Sequence, residues 1–490
     1  MPRKITYQVL SEDELNQIHE ATLNLLEEPG IQFSNDAVRQ YFVDAGFRVS
    51  GKVVHFTREQ VEAALKTAPR TITRQAFKPE YTFTKGDGGL YLSAGSWPLY
   101  VVDANTYARR QATFDDLGKF TRLADAMDNL IIANGVVKPC DVPENVLHVV
   151  WSWNLLNNTY KVANTTHALT VQEAQDILHV LTAAFGSFEA LKKTHAWTIT
   201  CCLDQAMVWG DTLVGAVEMA KAELPVVAMS MPMPGSMHPV TLAGTLVQAN
   251  AEVLSAVVLT QLVNPGAPVI YTYYAGIMDM RVASHVFGAP EVALIHAAGA
   301  QLAKWYGLPC DMCSGHTDSK VPDAQAAAEK MLTMLPPALA GTDCLRLVAG
   351  ELDFGLSASY EQLVIDNEMA GEVLRIGRGV EVNPETLALD VIKRVGLGGN
   401  YLGERHTLKH FKEELWLPPL ADRRGRDVWE SKGGLDILQR AQGRVADILE
   451  KHHPRPLSEE RRKAVAAAVG EICAREGCRD WWERAGAQGA

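Results

Sequence analysis

Three stretches decide the fold: GAPVIYTYYAGIMDM (266–280), LPCDMCSGHTDSKVPDAQ (308–325) and LRLVAGELDFGLSASYEQLVIDNE (345–368). Each contains an apolar, strand-like run, breaks into a cluster of Tyr, Asp, His, Ser and Glu, and continues in a helix-like pattern. This is the βα rhythm of a parallel barrel, whose chemistry sits on the loops that follow the strands. Working outward, comparable runs start at Ile131, Lys161, Trp197, Pro225, Pro268, Pro309, Leu345 and, weakly, Asp390, at spacings of roughly 30 to 45 residues. The eight units predict a single α/β (β/α)8 TIM barrel whose strands run from about Asn129 to Gly399. There is no sequence repeat, so the symmetry is architectural.

The flanks read differently. Ser11 and Glu14 form a capping box ahead of an apolar pattern that Pro29-Gly30 stops. Short helices are expected near 37–45 and 57–66, with Thr57 as a cap. YTFTKGDGGLYLSAG (81–95) alternates around a Gly-rich turn, which predicts a β-hairpin. Thr113 caps a helix with acids in its first turn. The expected organisation is an N-terminal helical and hairpin cap over residues 1–112, the barrel over 113–415, and a helical extension over 416–490. That extension contains charged helices at 434–452 and 457–475, which pack on the barrel or on a second subunit.

Composition narrows the function. The 490 residues are 47% hydrophobic and 21% charged, with a net charge of −12. An acidic chain argues against nucleic acid or anionic membranes as partners. The apolar run 241–262 carries Gln248, Asn250 and Glu252, so it reads as a core helix rather than a membrane span. No export signal opens the sequence, and the eight cysteines are scattered, so free thiols and a cytoplasmic location are expected.

Among local motifs, Cys310-x-x-Cys313-x-x-His316 has the look of a metal trio. In a strand, however, residues three apart face opposite sides, and no second pair supplies further ligands. No metal is expected. Cys201-Cys202, Cys473 and Cys478 read as packing. Gly396-Leu-Gly398-Gly399 misses GxGxxG because Tyr401 stands where the third glycine would fall. No GxSxG, P-loop or HExxH motif occurs. The strand-end set is the better signal: Asn134, Asn164, Thr166, His167, Asp204, Tyr273, Tyr274, Asp279, His316, Asp318, Glu351, Asp353, Phe354 and Tyr360. Aromatic rings beside carboxylates suit a small cationic or zwitterionic ligand, because a quaternary ammonium is held by ring faces and diffuse negative charge. Trp97, in the segment Ser96 to Tyr100, could lean over such a site.

Several long strings resemble the trimethylamine methyltransferase superfamily, in that family's order: LAGTLVQANAEVLSAVVLTQLVNPGAPVIY (from Leu242), MDMR (278–281), the Gly307-Leu-Pro and Thr317-Asp318-Ser319-Lys320-Val-Pro-Asp323-Ala-Gln325 strings, YEQLVIDNEMAG (from Tyr360) and YLGERHTLKHF (from Tyr401). The resemblance covers essentially the whole chain. It implies a TIM barrel that moves a methyl group from an amine to the Co(I) corrinoid (cobalamin) of a separate corrinoid protein, with no tightly bound cofactor of its own. No pyrrolysine is present, which matches the branch acting on quaternary amines such as glycine betaine, proline betaine or carnitine. Glycine betaine, giving dimethylglycine, is the expected substrate. The expectations are then specific. Tyr274, Phe354, Tyr360 and Trp97 contact the ammonium methyls. His316 meets a substrate carboxylate, assisted by a helix N-terminus near Pro322. Asp318, Glu351 and Asn164 complete the substrate site. Gly276, Asp279, Arg281, Gly398, Gly399, Arg405 and His406 approach the corrinoid. No protein nucleophile is needed, because Co(I) is the nucleophile and the protein supplies position and electrostatics. A homo-oligomer is expected. The alternatives are a non-catalytic betaine-binding or sensor barrel, and a lyase for which Lys320 would be the Schiff-base lysine.

Overall fold

In the computed structural model, residues 6–95 and 97–486 are described; Ser96 lies outside them. The fold is mixed α/β. A parallel ladder joins Val226–Ser230, Val269–Tyr273, Cys310–Cys313 and Cys344–Ala349 in that order, with Trp197–Gln205 beside the first. These strands are buried on both faces and read as continuous Val/Ile/Leu/Tyr runs, as parallel strands between helices must. Helices Leu242–Val263, Pro290–Tyr306, Ala324–Ala340 and Tyr360–Arg378 alternate with them.

The eighth unit departs from the sequence reading. The run at Asp390 is a helix, Leu389–Val395. Its apolar residues Val391, Ile392 and Val395 recur at helical rather than alternating spacing. The strand that pairs in parallel with Cys344–Ala349 is instead Tyr91–Ala94, from the N-terminal region. The 81–95 hairpin therefore does not form: Phe83–Lys85 turns back on Ile72–Arg74, and Tyr91–Ala94 leaves for the main sheet. The runs at Ile131 and Lys161 contract as well. The first survives as Ile132, bridged in parallel to Ser93 and to Val162, and the second as Ala163–Asn164, paired with Trp197 and Thr198. The hydrogen-bonded strand ladder is thus an open path.

The local signals at the chain's start appear as helix caps in the structure. Ser11 and Glu14 close a capping box on Glu12–Glu27, Thr57 and Gln60 another on Arg58–Thr67, and Thr113 and Asp116 a third on Phe114–Ala126. Leu242–Val263 is the one described helix long and apolar enough to cross a membrane, and 72% of its apolar window is buried within the protein. Its Asn250 and Glu252 are hydrogen-bonded in the interior, as a core helix requires.

Candidate functional site

The loops after Val269–Tyr273, Cys310–Cys313 and Cys344–Ala349 converge at one end of the sheet. Strand pleating fixes which tyrosine of the Tyr271-Thr-Tyr-Tyr274 run reaches it. Tyr271 and Tyr273 point outward into the helical layer, where their hydroxyls meet; Tyr273 packs against Gly299 of the 290–306 helix. Tyr274, one residue on, faces the mouth. It packs beside Met231 over a floor of Met229, Cys313 and Leu347. Burial, then the charges of Glu351 and Cys313, pushes its phenol well above the ordinary range, so it stays protonated.

At the centre of the mouth His316 Nδ1 lies 3.3 Å from Glu351 Oε2, both residues buried. The imidazole stands 5.0 Å from the Tyr274 ring and 5.9 Å from Phe287, and Tyr274 stacks on Phe287 at 5.3 Å and 21°. His316 Nε2 is buried and has no hydrogen-bond partner among the described residues. Glu351 reaches the mouth on a small sheet in which Glu351–Leu352 pairs with Ser357–Ala358, and that strand with Tyr100–Val102. Gly95 makes room for it: a Cβ there would sit 2.7 Å from both Glu351 Cγ and Oε1. Two consecutive non-glycine residues on this loop, Asp353 and Phe354, hold φ of +54° and +59°, the local strain that clusters at functional sites.

The surrounding shell is tied down. Lys330 Nζ donates to Gly315 O at 2.8 Å and lies 3.1 Å from Asp366, whose carboxylate accepts from Gly350 N at 2.7 Å. One buried ion pair therefore fixes the backs of the His316 and Glu351 loops. Asp318 accepts from Phe287 N at 2.8 Å and Gly288 N at 3.1 Å, which clamps Phe287 over His316. His296 accepts from Ala275 N at 3.0 Å; burial, helped by His316, lowers it to about 3, so it is a neutral strut. Behind the Val226–Ser230 loop, Glu252 accepts from Ser230 Oγ at 2.6 Å and stands 3.2 Å from His238 Nε2. Among the described residues no group of three His, Cys, Asp or Glu side chains is placed to hold a metal ion. The Cys310 thiol, pushed to about 12 by burial, sits by Thr342 on the face away from Cys313.

Comparison with known proteins now decides the family. Residues 2–472 match the family described as trimethylamine methyltransferase (MTTB). The chain belongs to the trimethylamine methyltransferase family. It is 35% identical over 456 residues to a glycine betaine methyltransferase of Desulfitobacterium hafniense (strain Y51), covering 93% of this chain and 95% of that one. It is 34% identical over 469 residues to trimethylamine methyltransferase MttB of D. hafniense (strain DSM 10664 / DCB-2), with 94% and 92% covered. A Methanosarcina mazei trimethylamine methyltransferase, MttB2, is 33% identical over 480 residues, with 93% of each covered.

Of the residues singled out in this methyltransferase-family sequence, the fold brings Tyr274, His316, Glu351 and Asp318 together. Gly276 lies under Phe287 and Met233. Phe354 is close by, but Lys320 Nζ already stands 4.2 Å from its ring centroid while donating to Asp318 O. Asp353 is held by Arg109 at 3.2 Å. Asp279 and Arg281 pair with each other at 2.6 Å in the hairpin Ile277–Asp279 and Ser284–Val286. Trp97 packs on Trp151 at 5.3 Å and His167 at 6.1 Å, with Lys138 over its ring. Asn164 is spent on Thr198 at 2.6 Å and Asn134 on the Asn164 amide at 3.2 Å. Thr166 bonds the His167 carbonyl, and His167 Nδ1 meets Thr200 O at 2.8 Å. Asp204 is exposed.

Three expectations are corrected by position. Tyr360 is the first residue of its helix, packs on Phe120 at 4.3 Å, and gives its hydroxyl to Asp116, which Arg110 also holds. The helix after His316 starts at Ala324 with Asp323 capping it from within, so that N-terminus is already occupied. Gly398, Gly399, Arg405 and His406 sit on an excursion tethered to the far end of the 19-residue helix Tyr360–Arg378, about 27 Å along it from the mouth loop. Arg375 holds the excursion there through Glu414 O at 2.7 Å. Phe287, His296, His238 and Lys330 lay outside the sequence reading. Phe287 ends a 12-residue excursion from Ala275 and carries no motif that could have flagged it.

Proposed function

We propose that this member of the trimethylamine methyltransferase family demethylates a quaternary amine bearing a carboxylate, glycine betaine first among such substrates, with a corrinoid protein as methyl acceptor. The observation that carries the reading is the buried His316–Glu351 pair against the stacked Tyr274 and Phe287 rings. A betaine is a cation and an anion a few bonds apart. Laid antiparallel on the His316–Glu351 pair, its ammonium meets Glu351 and the two ring faces, and its carboxylate meets His316 Nε2. His316 then stands between Glu351 and that carboxylate.

The residues bind and orient; the transferred group needs no protein nucleophile. A quaternary nitrogen already carries the charge that lets a neutral tertiary amine leave, and the C–N electron pair stays on nitrogen. The corrinoid cobalt supplies the electron pair for the new bond to the methyl carbon. The chain's part is to point one methyl outward and to exclude water from the cage, which the Met229, Cys313 and Leu347 floor does. The mouth fits a bulky acceptor: Leu169, Val240, Met280, Val282 and Leu356 on the strand-end loops are exposed around it. These loops, with Gly276 and the Asp279–Arg281 hairpin, form the docking rim. We further read the seven paired parallel strands, with Ile132 bridging Ser93 and Val162, as an eight-fold (β/α)8 barrel.

The test is the pure protein with Co(I) cobalamin or a corrinoid protein and a panel of glycine betaine, proline betaine, carnitine, trimethylamine and tetramethylammonium. The expected result is a cobalamin absorbance change with one carboxylated quaternary amine. Response to trimethylamine alone overturns the substrate class, and tight binding of a betaine without any absorbance change makes the protein a sensor.

A further inference from the structure

Beneath the floor of the mouth the interior is charged. Arg346, on strand Cys344–Ala349, is paired in register with Cys313 of the neighbouring strand. Its Nη2 donates to Thr200 Oγ1 at 2.7 Å. Thr200 belongs to Trp197–Gln205, and three strands of the parallel ladder lie between the two. The side chain therefore crosses the interior under the mouth. Local backbone strain puts it there. Arg346 points to Asp311 and Thr200, and Leu347, the next residue, joins Met229 and Cys313 in the floor. A regular strand would send one of the two to the other face. Leu347 instead holds φ of +65°, where the pairing with Tyr91–Ala94 shifts register. Bulges of this kind re-aim side chains beside functional sites.

The guanidinium is short of negative charge. The carboxylate beside it, Asp311, stands 3.8 Å from Nη1 and is in closer contact with the buried Lys85. Arg74, a third buried cation, has no ion pair among the described residues and donates to Ala163 O and Ala196 O at 2.7 and 2.8 Å. Asp343, at the foot of the Arg346 strand, accepts from Cys310 N at 2.8 Å, and burial raises its carboxyl. Three cations thus face at most two carboxylates, and a buried cation without its counter-ion is costly. Arg346 keeps 7% of its side chain exposed, whereas Lys85 keeps none. That opening lies toward the strand ends, where His167 and Cys202 around Thr200 are half-buried.

We propose that Arg346 binds the carboxylate of the substrate from beneath and is the residue that selects a carboxylated quaternary amine. A guanidinium fork matches a carboxylate through two parallel N–H bonds, and the ligand supplies the counter-ion that the interior lacks. The Cys313 thiol, raised by burial, feels both the Arg346 and the Glu351 charge, so the two ends of the mouth carry opposite signs across this residue. A zwitterion then enters carboxylate first. Its ammonium stays outward at Glu351, Tyr274 and Phe287, the orientation in which a methyl group faces the rim. His316 meets the same carboxylate from the side. The inference rests on the reading of the substrate as a betaine.

The experiment is calorimetric titration of the full-length protein with glycine betaine and with tetramethylammonium, for the parent chain, Arg346→Met and Arg346→Lys, each shown folded by circular dichroism. Arg346→Met should lose about 10- to 100-fold in affinity for glycine betaine. Its affinity for tetramethylammonium should hold or rise, because a like charge has been removed. A residue that only supports the fold would weaken both ligands together. Arg346→Lys keeps a cation beside Asp311 and gives up the planar fork, so it should lose about 3- to 10-fold on glycine betaine alone. That split decides the matter if Arg346→Met does not fold. Equal losses on both ligands overturn the proposal. A preference for glycine betaine that survives in both variants overturns it alone and leaves the carboxylate to His316. A parent chain that binds tetramethylammonium at least as tightly as glycine betaine overturns the betaine reading and this inference with it.

Discussion

The mouth and the 379–415 arm both present apolar side chains to solvent, and they are held in opposite ways. At the mouth, Gly315, Gly350, Phe287 and Ala275 are each fixed through a backbone N–H or C=O by a side chain from another element: Lys330, Asp366, Asp318 and His296 respectively. The buried His316 Nε2 is left over. On the arm the polar groups that pair do so with neighbours on the arm itself or at its root, and the leucines are largely exposed. A preorganised polar cluster with an unpartnered imidazole is built for a small ligand. A protruding stretch of exposed apolar side chains is suited to a larger partner. Charge makes the same distinction, because the arm is nearly neutral whereas the mouth concentrates Glu351, Asp318 and Asp353 among rings.

The largest expected effect tests the anchoring. Lys330→Met leaves Asp366 buried without its cation and should cost about 3–5 kcal/mol of stability, read by chemical denaturation. Burial already pushes the Asp366 carboxyl up, so the variant binds more protons folded than unfolded. Its deficit should therefore shrink as pH falls toward about 4. A loss under 1 kcal/mol, or one that grows on acidification, would mean that the mouth is no better anchored than the arm.

Next come the two substrate contacts. His316→Ala should weaken glycine betaine binding by about 1.5–3 kcal/mol, the range for a hydrogen bond to a charged group, while tetramethylammonium, which has no carboxylate, loses far less. Calorimetry on the pair gives the ratio, and an unaltered ratio removes His316 from the carboxylate. Tyr274→Ala should weaken both ligands alike by about 1–2 kcal/mol through the lost ring face. Unchanged affinity in a folded variant would move the cage elsewhere.

How far the sequence reaches follows from the range of the interactions involved. Capping boxes at Ser11, Thr57 and Thr113 are three-residue signals, and all are present. The strands from Trp197 to Ala349 are long apolar runs and were legible as well. The strand at Tyr91–Ala94 was not, because its partner is Cys344–Ala349, about 250 residues away, and its flanking Gly-rich turn mimics a hairpin. Asp390 misled for the opposite reason, as a locally helical run placed where an eighth strand was due. Within the site, a shift of one residue separates Tyr274 in the mouth from Tyr273 in the helical layer, and alternation along a short buried strand is hard to phase from composition alone. His316 and Glu351 were reachable as strand-end polars. Phe287 was not, because its place depends on where a hairpin excursion returns and on the Asp318 clamp.

The smallest effect concerns the border of the mouth at Tyr360. Its hydroxyl goes to Asp116, which also accepts from Arg110 at 2.6 and 2.7 Å and from Thr113. Burial alone would raise that carboxyl, but the bonds from Arg110, Tyr360 and Thr113 outweigh it and leave Asp116 at about 2. Tyr360→Phe removes one bond of several, so Asp116 stays satisfied and the loss should be about 1 kcal/mol or less. A depressed carboxyl contributes stability above its unfolded value, near 3.9, and loses it as pH falls toward its folded value. The difference between Tyr360→Phe and the parent chain should therefore be full above pH ~4 and fade toward pH ~2. Affinity for the quaternary amine should not change, because the ring faces Phe120 and the hydroxyl faces Asp116. If Tyr360→Phe or Tyr360→Ala weakened amine binding as Tyr274→Ala does, the cage would extend past the Glu351 loop to this helix start, and the boundary of the anchored region would lie one element further out.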